Sequence, residues 1–233
     1  MNVVITGASR GLGKAMAEIF AAHGHHLFIT SRNEVLLYNT MQELLTKYPG
    51  VRIKAKARDL SLKEEATELG RWIVENGYPV DVLVNNAGSF VPGSVHNEPD
   101  GALEEMISTN LYSAYHLTRT LLPVMMQNKK GHIFNICSVA SLGAYKNGGA
   151  YSISKYALHG FSKNLREELK EYNIKVTSVF PGAAYTDSWK ESGIAATRFM
   201  QADDIAKMVF AASQLSDRAC VEEILLRPQP GDV

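Results

Sequence analysis

Cysteine is nearly absent. Cys137 and Cys220 are the only two in 233 residues, they stand far apart, and neither forms a CxxC pair, so a disulfide scaffold or a thiolate zinc site is not expected. No HExxH spacing offers another metal site, and none is expected. Net charge is also lacking: 24 basic residues balance 24 acidic ones, which removes the overall electrostatic footprint of a nucleic-acid or anionic-membrane binder. No apolar run reaches the roughly 18 residues of a membrane-spanning helix. The opening MNVVITGASR carries no basic leader, so neither secretion nor membrane insertion is expected, and a cytoplasmic location is the simplest reading. Repeats, low-complexity tracts and interdomain linkers are missing too. With 45% hydrophobic and 21% charged residues, the composition is that of an ordinary folded chain, and its length suits one core; residues 1–233 are read as a single domain.

What is present is an alternation of short β-branched runs with amphipathic ones. Strands are expected over Asn2–Thr6, His26–Thr30, Val51–Ala57, Val80–Asn85, Gly131–Cys137, Ile174–Phe180 and Val221–Arg227. Helices are expected over Gly11–Phe20, Glu34–Lys47, Leu62–Glu75, Tyr151–Lys170 and Ala202–Ala212. Between Leu103 and Met126 two helical tracts meet near Thr109 and Asn110. Such alternation implies an α/β fold with a parallel sheet covered by helices on both faces. The irregular stretch at 183–201 is expected to form a lip over a substrate pocket.

The most informative local feature is Thr6-Gly7-Ala8-Ser9-Arg10-Gly11-Leu12-Gly13, placed between the first strand and the first helix. Glycines there allow the backbone to approach a ligand closely, and free amides at the helix start can hold phosphate oxygens. The spacing is GxxxGxG, not the GxGxxG of the commonest dinucleotide fingerprint; a plain structural turn is the competing reading. Gly7, Ser9, Arg10, Gly11, Leu12 and Gly13 are the candidate cofactor residues of this loop. Arg32 follows the second strand, and no acid occupies positions 26–32. An acid there would accept from a ribose hydroxyl and repel a 2′-phosphate, whereas the guanidinium groups of Arg10 and Arg32 offer it donors. The expected cofactor is therefore NADP/NADPH. Asp59, beside Leu60 after the third strand, either accepts from an adenine amino group or caps the following helix; the former is preferred. Asn86, Ala87 and Gly88 break the fourth strand at its carboxyl end, where open α/β sheets place ligands.

Tyr151 and Lys155 are spaced i, i+4 on one helix and can share a face. A phenol is a weak acid or base at neutral pH, and a nearby ammonium is expected to lower its pKa and favour proton transfer. Ser138, thirteen residues before Tyr151, can return its hydroxyl toward the phenol to hold a substrate oxygen; its plain reading is a helix cap. Asn110 either caps or fills the interior, or positions a water that links Lys155 to solvent.

In this order the motifs resemble the short-chain dehydrogenase/reductase family. The loop at 6–13 is similar to its nucleotide loop, Asn85-Asn86-Ala87-Gly88 to its sheet-stabilising loop, and Asn110, Ser138, Tyr151 and Lys155 to its catalytic tetrad. Pro181-Gly182 followed by Thr186 resembles the segment that contacts the nicotinamide side. The likeness covers nearly the whole chain. It implies a doubly wound Rossmann-type fold with a seven-stranded parallel sheet in the order 3-2-1-4-5-6-7. It also implies a homodimer or homotetramer and NADP selection by the arginine pair. The implied reaction moves hydride between nicotinamide and a small-molecule carbonyl or alcohol, with Tyr151 as proton donor, Ser138 on the oxygen and Lys155 on the ribose. The tail Val221–Pro228 and the segment Tyr185–Trp189 look like those of bacterial sepiapterin reductases, which would make the substrate a pterin side-chain ketone. A non-catalytic nicotinamide sensor or scaffold is the rival class.

Other residues invite weaker readings. His23, His25 and His26 around Gly24 suggest a wet turn rather than a metal tract. Cys137 is expected to turn into the core while Ser138 faces the site, and Phe90, Tyr145, Tyr185, Trp189 and Phe199 are candidate pocket walls or ordinary packing.

Overall fold

The computed structural model describes residues 1–186 and 193–232. Its strands are β1 (Asn2–Thr6), β2 (His26–Thr30), β3 (Ile53–Ala55), β4 (Val82–Asn85), β5 (Gly131–Ile136), β6 (Ile174–Pro181) and β7 (Glu223–Leu226). The helices are α1 (Gly11–Ala22), α2 (Glu34–Lys47), α3 (Lys63–Glu75), α4 (Ala102–Ile107), α5 (Ser113–Asn128), α6 (Gly149–Leu169) and α7 (Ala202–Ser213). All seven strands join one sheet in the order β3-β2-β1-β4-β5-β6-β7, and every pairing is parallel. This is the doubly wound Rossmann-type architecture.

Strand periodicity explains how the sheet is covered. Val3 and Ile5 of β1 point to one face, where they meet Met16 and Phe20 of α1, Leu37 and Leu44 of α2, and Ile205 and Val209 of α7. Val4 points to the other face, packed among Leu69 of α3, Leu117 and Leu121 of α5, and Leu165 of α6. Successive side chains alternate across the sheet, so an uninterrupted apolar strand buries both its faces.

Two strands are shorter than their sequence pattern. β3 forms only at 53–55, not 51–57, and β7 only at 223–226, not 221–227. Both lie at sheet edges with a single partner, and each is a strand only over the residues paired with it, 53–55 against β2 and 223–226 against β6. Between α4 and α5 the helix passes through a wide π turn at Ser108–Tyr112, at the meeting point the sequence marks near Thr109 and Asn110. The histidines near Gly24 act as a turn: His23 Nδ1 lies 2.8 Å from the Ile19 carbonyl, and the His23 ring packs on Phe210. Among the described residues no group of three possible ligands could hold a metal ion, and no helix is long and apolar enough to cross a membrane.

The strand order reverses at β1 and β4, whose neighbours diverge to opposite sides. The connections leaving their carboxyl ends separate there and open a crevice.

Candidate active site

That crevice is a cavity of about 730 Å³, within the range of small-molecule and cofactor sites. Its floor begins at the first glycine loop. Gly11 has φ 54°, in the left-handed region open to glycine. Arg10, the N-cap of α1, supplies no side-chain cap, and the first turn of α1 carries no acid. The positive end of α1 therefore meets this loop with no acid in its own first turn, as a phosphate site requires. Gly7, Ser9, Arg10, Gly11 and Leu12 all line the cavity.

Gly13 does not line the cavity wall. A Cβ built there would lie 2.2 Å from the Gly7 carbonyl oxygen and 2.6 Å from Asn86 Nδ2. Its part is to let α1 pack against the loop. The loop is tied to β4 through Thr6 and Asn86. The Thr6 hydroxyl accepts from the Asn86 and Ala87 amides at 2.9 and 2.8 Å, and Asn86 Nδ2 donates to the Thr6 carbonyl at 2.9 Å.

Arg32, Asp59 and Leu60 line one end of the cavity, together with Ser31 and Leu36. Asp59 does not cap α3, whose N-cap is Leu62; it accepts instead from the Ser61 amide and hydroxyl at 3.0 and 2.7 Å. Sequence reasoning missed Arg58, which lines the same end. Its Nη1 donates to the Ala57 carbonyl, while its Nε is buried without a hydrogen bond. Adjacency to Asp59 was the available signal. Arg10, Arg32 and Arg58, with Arg227 at the rim, thus line this cavity, and the fit to an anionic dinucleotide rests on the first three and on the open first turn of α1.

At the far end stand Ser138, Tyr151 and Lys155 with Asn86, Ala87, Gly88, Pro181, Gly182 and Thr186. β5 ends at Ile136, and Ser138 caps the short turn Val139–Ser141: its Oγ accepts from the Ala140 amide at 3.2 Å. The cap and the cavity-facing position are therefore both realised in one residue. The Ser138 hydroxyl also acts on the Tyr151 phenol, favouring its charged form. Lys155 Nζ donates to the Ile136 carbonyl at 2.9 Å and lies 5.8 Å from the centre of the Tyr151 ring.

The electrostatics differ from the expected lowering of the Tyr151 pKa. Burial raises it, and the Ser138 hydroxyl opposes that rise only in part. Lys155 is itself desolvated: burial brings its pKa down to about 8, offset somewhat by Cys137. Cys137 is 3% exposed, and burial pushes its thiol up to about 11, so it is not a reactive thiolate.

Asn110 stands behind the wall. It is fully buried and absent from the cavity wall, and its side chain is already engaged. Oδ1 accepts from the Ser89 amide at 2.8 Å, and Nδ2 donates to the Ser89 carbonyl and Ser154 Oγ at 3.1 and 2.9 Å. It joins the Gly88 loop to α6. Of the candidate walls, Phe90 and Tyr145 line the cavity, and Phe90 sets its edge on the Tyr151 ring at 4.9 Å. Tyr185 and Phe199 pack on each other outside it. Trp189 and the middle of the 183–201 segment lie outside the described residues. Arg227 and Asp232 of the tail form an ion pair at the rim; their return toward Gly182 is a long-range contact with no local signal.

Comparison with known proteins agrees with this geometry. Residues 1–196 match the model of the short chain dehydrogenase family. The chain is 34% identical to the sepiapterin reductase of Chlorobaculum tepidum, over 99% of this chain and 97% of that one. A metagenomic short-chain oxidoreductase solved in complex with NADP superposes with a TM-score of 0.85 at 31% identity, covering 98% of this chain and 97% of that one. An alcohol dehydrogenase of the archaeon Thermococcus sibiricus, complexed with 5-hydroxy-NADP, superposes at 0.90 with 27% identity, covering 98% and 96%. A match along most of the chain, on the same sheet order, makes this protein an oxidoreductase of the short-chain dehydrogenase family.

Proposed function

We propose that this protein reduces a small-molecule carbonyl to the alcohol with NADPH, and runs the reverse reaction with NADP. The observation that carries the reading is the convergence of Ser138, Tyr151 and Lys155 on the far end of the cavity that starts at the phosphate-fitting loop. When bound, the cofactor would supply or accept the hydride. The protein supplies the geometry and the proton. Tyr151, kept protonated by burial, gives its proton to the oxygen that gains charge as the carbonyl is reduced. Ser138 donates to the same oxygen and holds it in register with the phenol. Lys155 orients the ribose and, as a cation, favours the phenolate that remains. Phe90 and Tyr145 stand in the wall at this end.

NADP in preference to NAD is supported by Arg10 and Arg32, by the lack of an acid over 26–32, and by neighbours solved with NADP. Assembly as a homodimer or homotetramer in the cytoplasm belongs to the same reading. The test is NADPH oxidation with a panel of ketones and aldehydes. Tyr151→Phe should keep its fold and lose turnover by about 10²–10⁴-fold, the range for a lost general acid. Undiminished turnover in that variant would overturn the assignment.

The 34% identity to a sepiapterin reductase favours one narrower reading, a pterin side-chain ketone as substrate. Sepiapterin turned over with a kcat/KM well above that of simple ketones would support it; failure to turn it over would remove it.

A further inference from the structure

The helix that carries Tyr151 begins without a local cap. Gly148, its N-cap, has no side chain to offer, and the first turn of α6 contains no acid. An uncapped N-terminus leaves amides unsatisfied and frays. Here the cap arrives from 52 residues away: Glu98 Oε1 accepts from the Ala150 amide at 2.7 Å. A carboxylate at that end also complements the helix dipole.

The fit is close on every side. A Cβ on Gly149 would lie 1.9 Å from Glu98 Oε1, and one on Gly93 would lie 2.6 Å from Glu98 Cγ. The segment that presents Glu98 is pinned beside it. The Gly93 amide donates to the Asn147 carbonyl at 3.1 Å, and Ser94 Oγ donates to Asn147 Oδ1 at 2.9 Å. Gly93 and Gly148 form an isolated parallel bridge. The same segment carries Phe90, whose ring meets Tyr151 edge-on. Two contacts from one loop therefore bear on one catalytic turn, the first on its backbone and the second on its phenol.

We infer that Glu98 is a positioning residue for Tyr151, closing the N-terminus of α6 from the loop that follows β4 and fixing the turn on which the phenol stands. The inference rests on the proposed role of Tyr151 as proton donor. Glu98 touches neither substrate nor cofactor in this arrangement; it acts through the Ala150 amide. The bond ties the loop after Gly88 to the helix that carries Tyr151.

The experiment compares wild type with Glu98→Ala, Glu98→Gln, Gly93→Ala and the Gly93→Ala/Glu98→Ala pair, using NADPH and a ketone that wild type reduces. Glu98→Ala should lower kcat about tenfold, as a displaced catalytic group does, with the KM for NADPH within about twofold. Glu98→Gln keeps an acceptor oxygen and should restore most of the rate. The atoms nearest an added Cβ at Gly93 all belong to Glu98. Gly93→Ala should therefore lower kcat in the wild-type background and change little once Glu98 is alanine. An unchanged kcat in Glu98→Ala, or an equal loss from Gly93→Ala in both backgrounds, would overturn the inference. Gly93→Ala in wild type carries the test alone if Glu98→Ala cannot be purified folded.

A second readout needs no turnover. Ultraviolet titration of Tyr151, taken as the difference from Tyr151→Phe, should move down toward the ordinary tyrosine range in Glu98→Ala as the turn frays and the phenol meets water, and should stay in place in Glu98→Gln. An unmoved titration in Glu98→Ala overturns the positioning role. If wild type reduces no carbonyl, or Tyr151→Phe remains active, the functional reading fails by itself while the titration still decides the part played by Glu98.

Discussion

Lys155 donates its ammonium to the Ile136 carbonyl at 2.9 Å, so the cation of α6 is fastened to the last residue of β5. The carbonyl offers partial negative charge but no full counter-ion, and burial brings the lysine down to about 8. Between pH 8 and the usual lysine range, the unfolded chain holds a proton that the folded chain has lost. Folding stability attributable to this residue therefore rises with pH across that window, and the burial penalty is complete below it. Urea unfolding of wild type and Lys155→Met at pH 7 and pH 10 should show the difference shifting in favour of wild type at the higher pH. A difference that is the same at both would contradict the buried, depressed lysine.

Arg32 should govern the choice of nicotinamide cofactor. It lines the cavity beside Ser31 and Leu36, and a hydrogen bond to a charged partner contributes about 1.5–3 kcal/mol, or roughly ten- to a hundredfold in affinity. Arg32→Glu should weaken NADPH by at least that factor, through both loss of the donor and repulsion of the 2′-phosphate, while NADH binding changes little. Fluorescence titration with each reduced cofactor measures this. Equal weakening of NADPH and NADH would show that Arg32 supports the loop and does not read the phosphate.

His132 should set part of the acid limit of stability. Its Nε2 lies 2.7 Å from Thr177 Oγ1, and that hydroxyl donates to the Val221 carbonyl at 2.5 Å. Thr177 has one hydroxyl proton, already used, so the imidazole Nε2–H must be the donor in their contact. Nδ1 is left buried without a partner, and adding a proton there creates an unpaired buried cation. Burial, with help from Lys175, brings the pKa down to about 3. Between pH 6.5, the ordinary histidine value, and about 3, the unfolded chain binds the extra proton, so stability falls as pH falls through that window. His132→Phe, which keeps the stacking on Phe134, should flatten the decline between pH 6 and pH 4 in denaturant unfolding. An unchanged slope would assign acid sensitivity elsewhere.

Much of the architecture was legible because its signals are local. β1 and β2 stand at the residues their β-branched and aromatic runs mark, and α2 spans Glu34–Lys47 as expected. The edge strands β3 and β7 came out shorter, since a strand's length depends on a neighbour that its own residues do not encode. The site was legible where chemistry follows spacing: Tyr151 and Lys155 share a helix face, and the glycine loop lies between a strand and a helix. It was not legible where burial decides. Gly13 and Asn110 carry family-like signals, yet one serves close packing and the other is sealed by hydrogen bonds to Ser89 and Ser154.

The sequence by itself determined the alternation of strands and helices, the phosphate-fitting loop, and the residue types needed for proton transfer, because each follows from a few neighbouring positions. Only the tertiary structure decided the protonation environment and the supports of the site. The Tyr151 pKa rises instead of falling because desolvation sums over everything packed around the phenol. Glu98 reaches Ala150 across 52 residues because the sheet brings the loops after β4 and β5 to the same crevice. The scarcity of cysteine also gained a structural meaning: Cys137 sits within the cavity wall, and burial there holds its thiol up to about 11 and out of the chemistry.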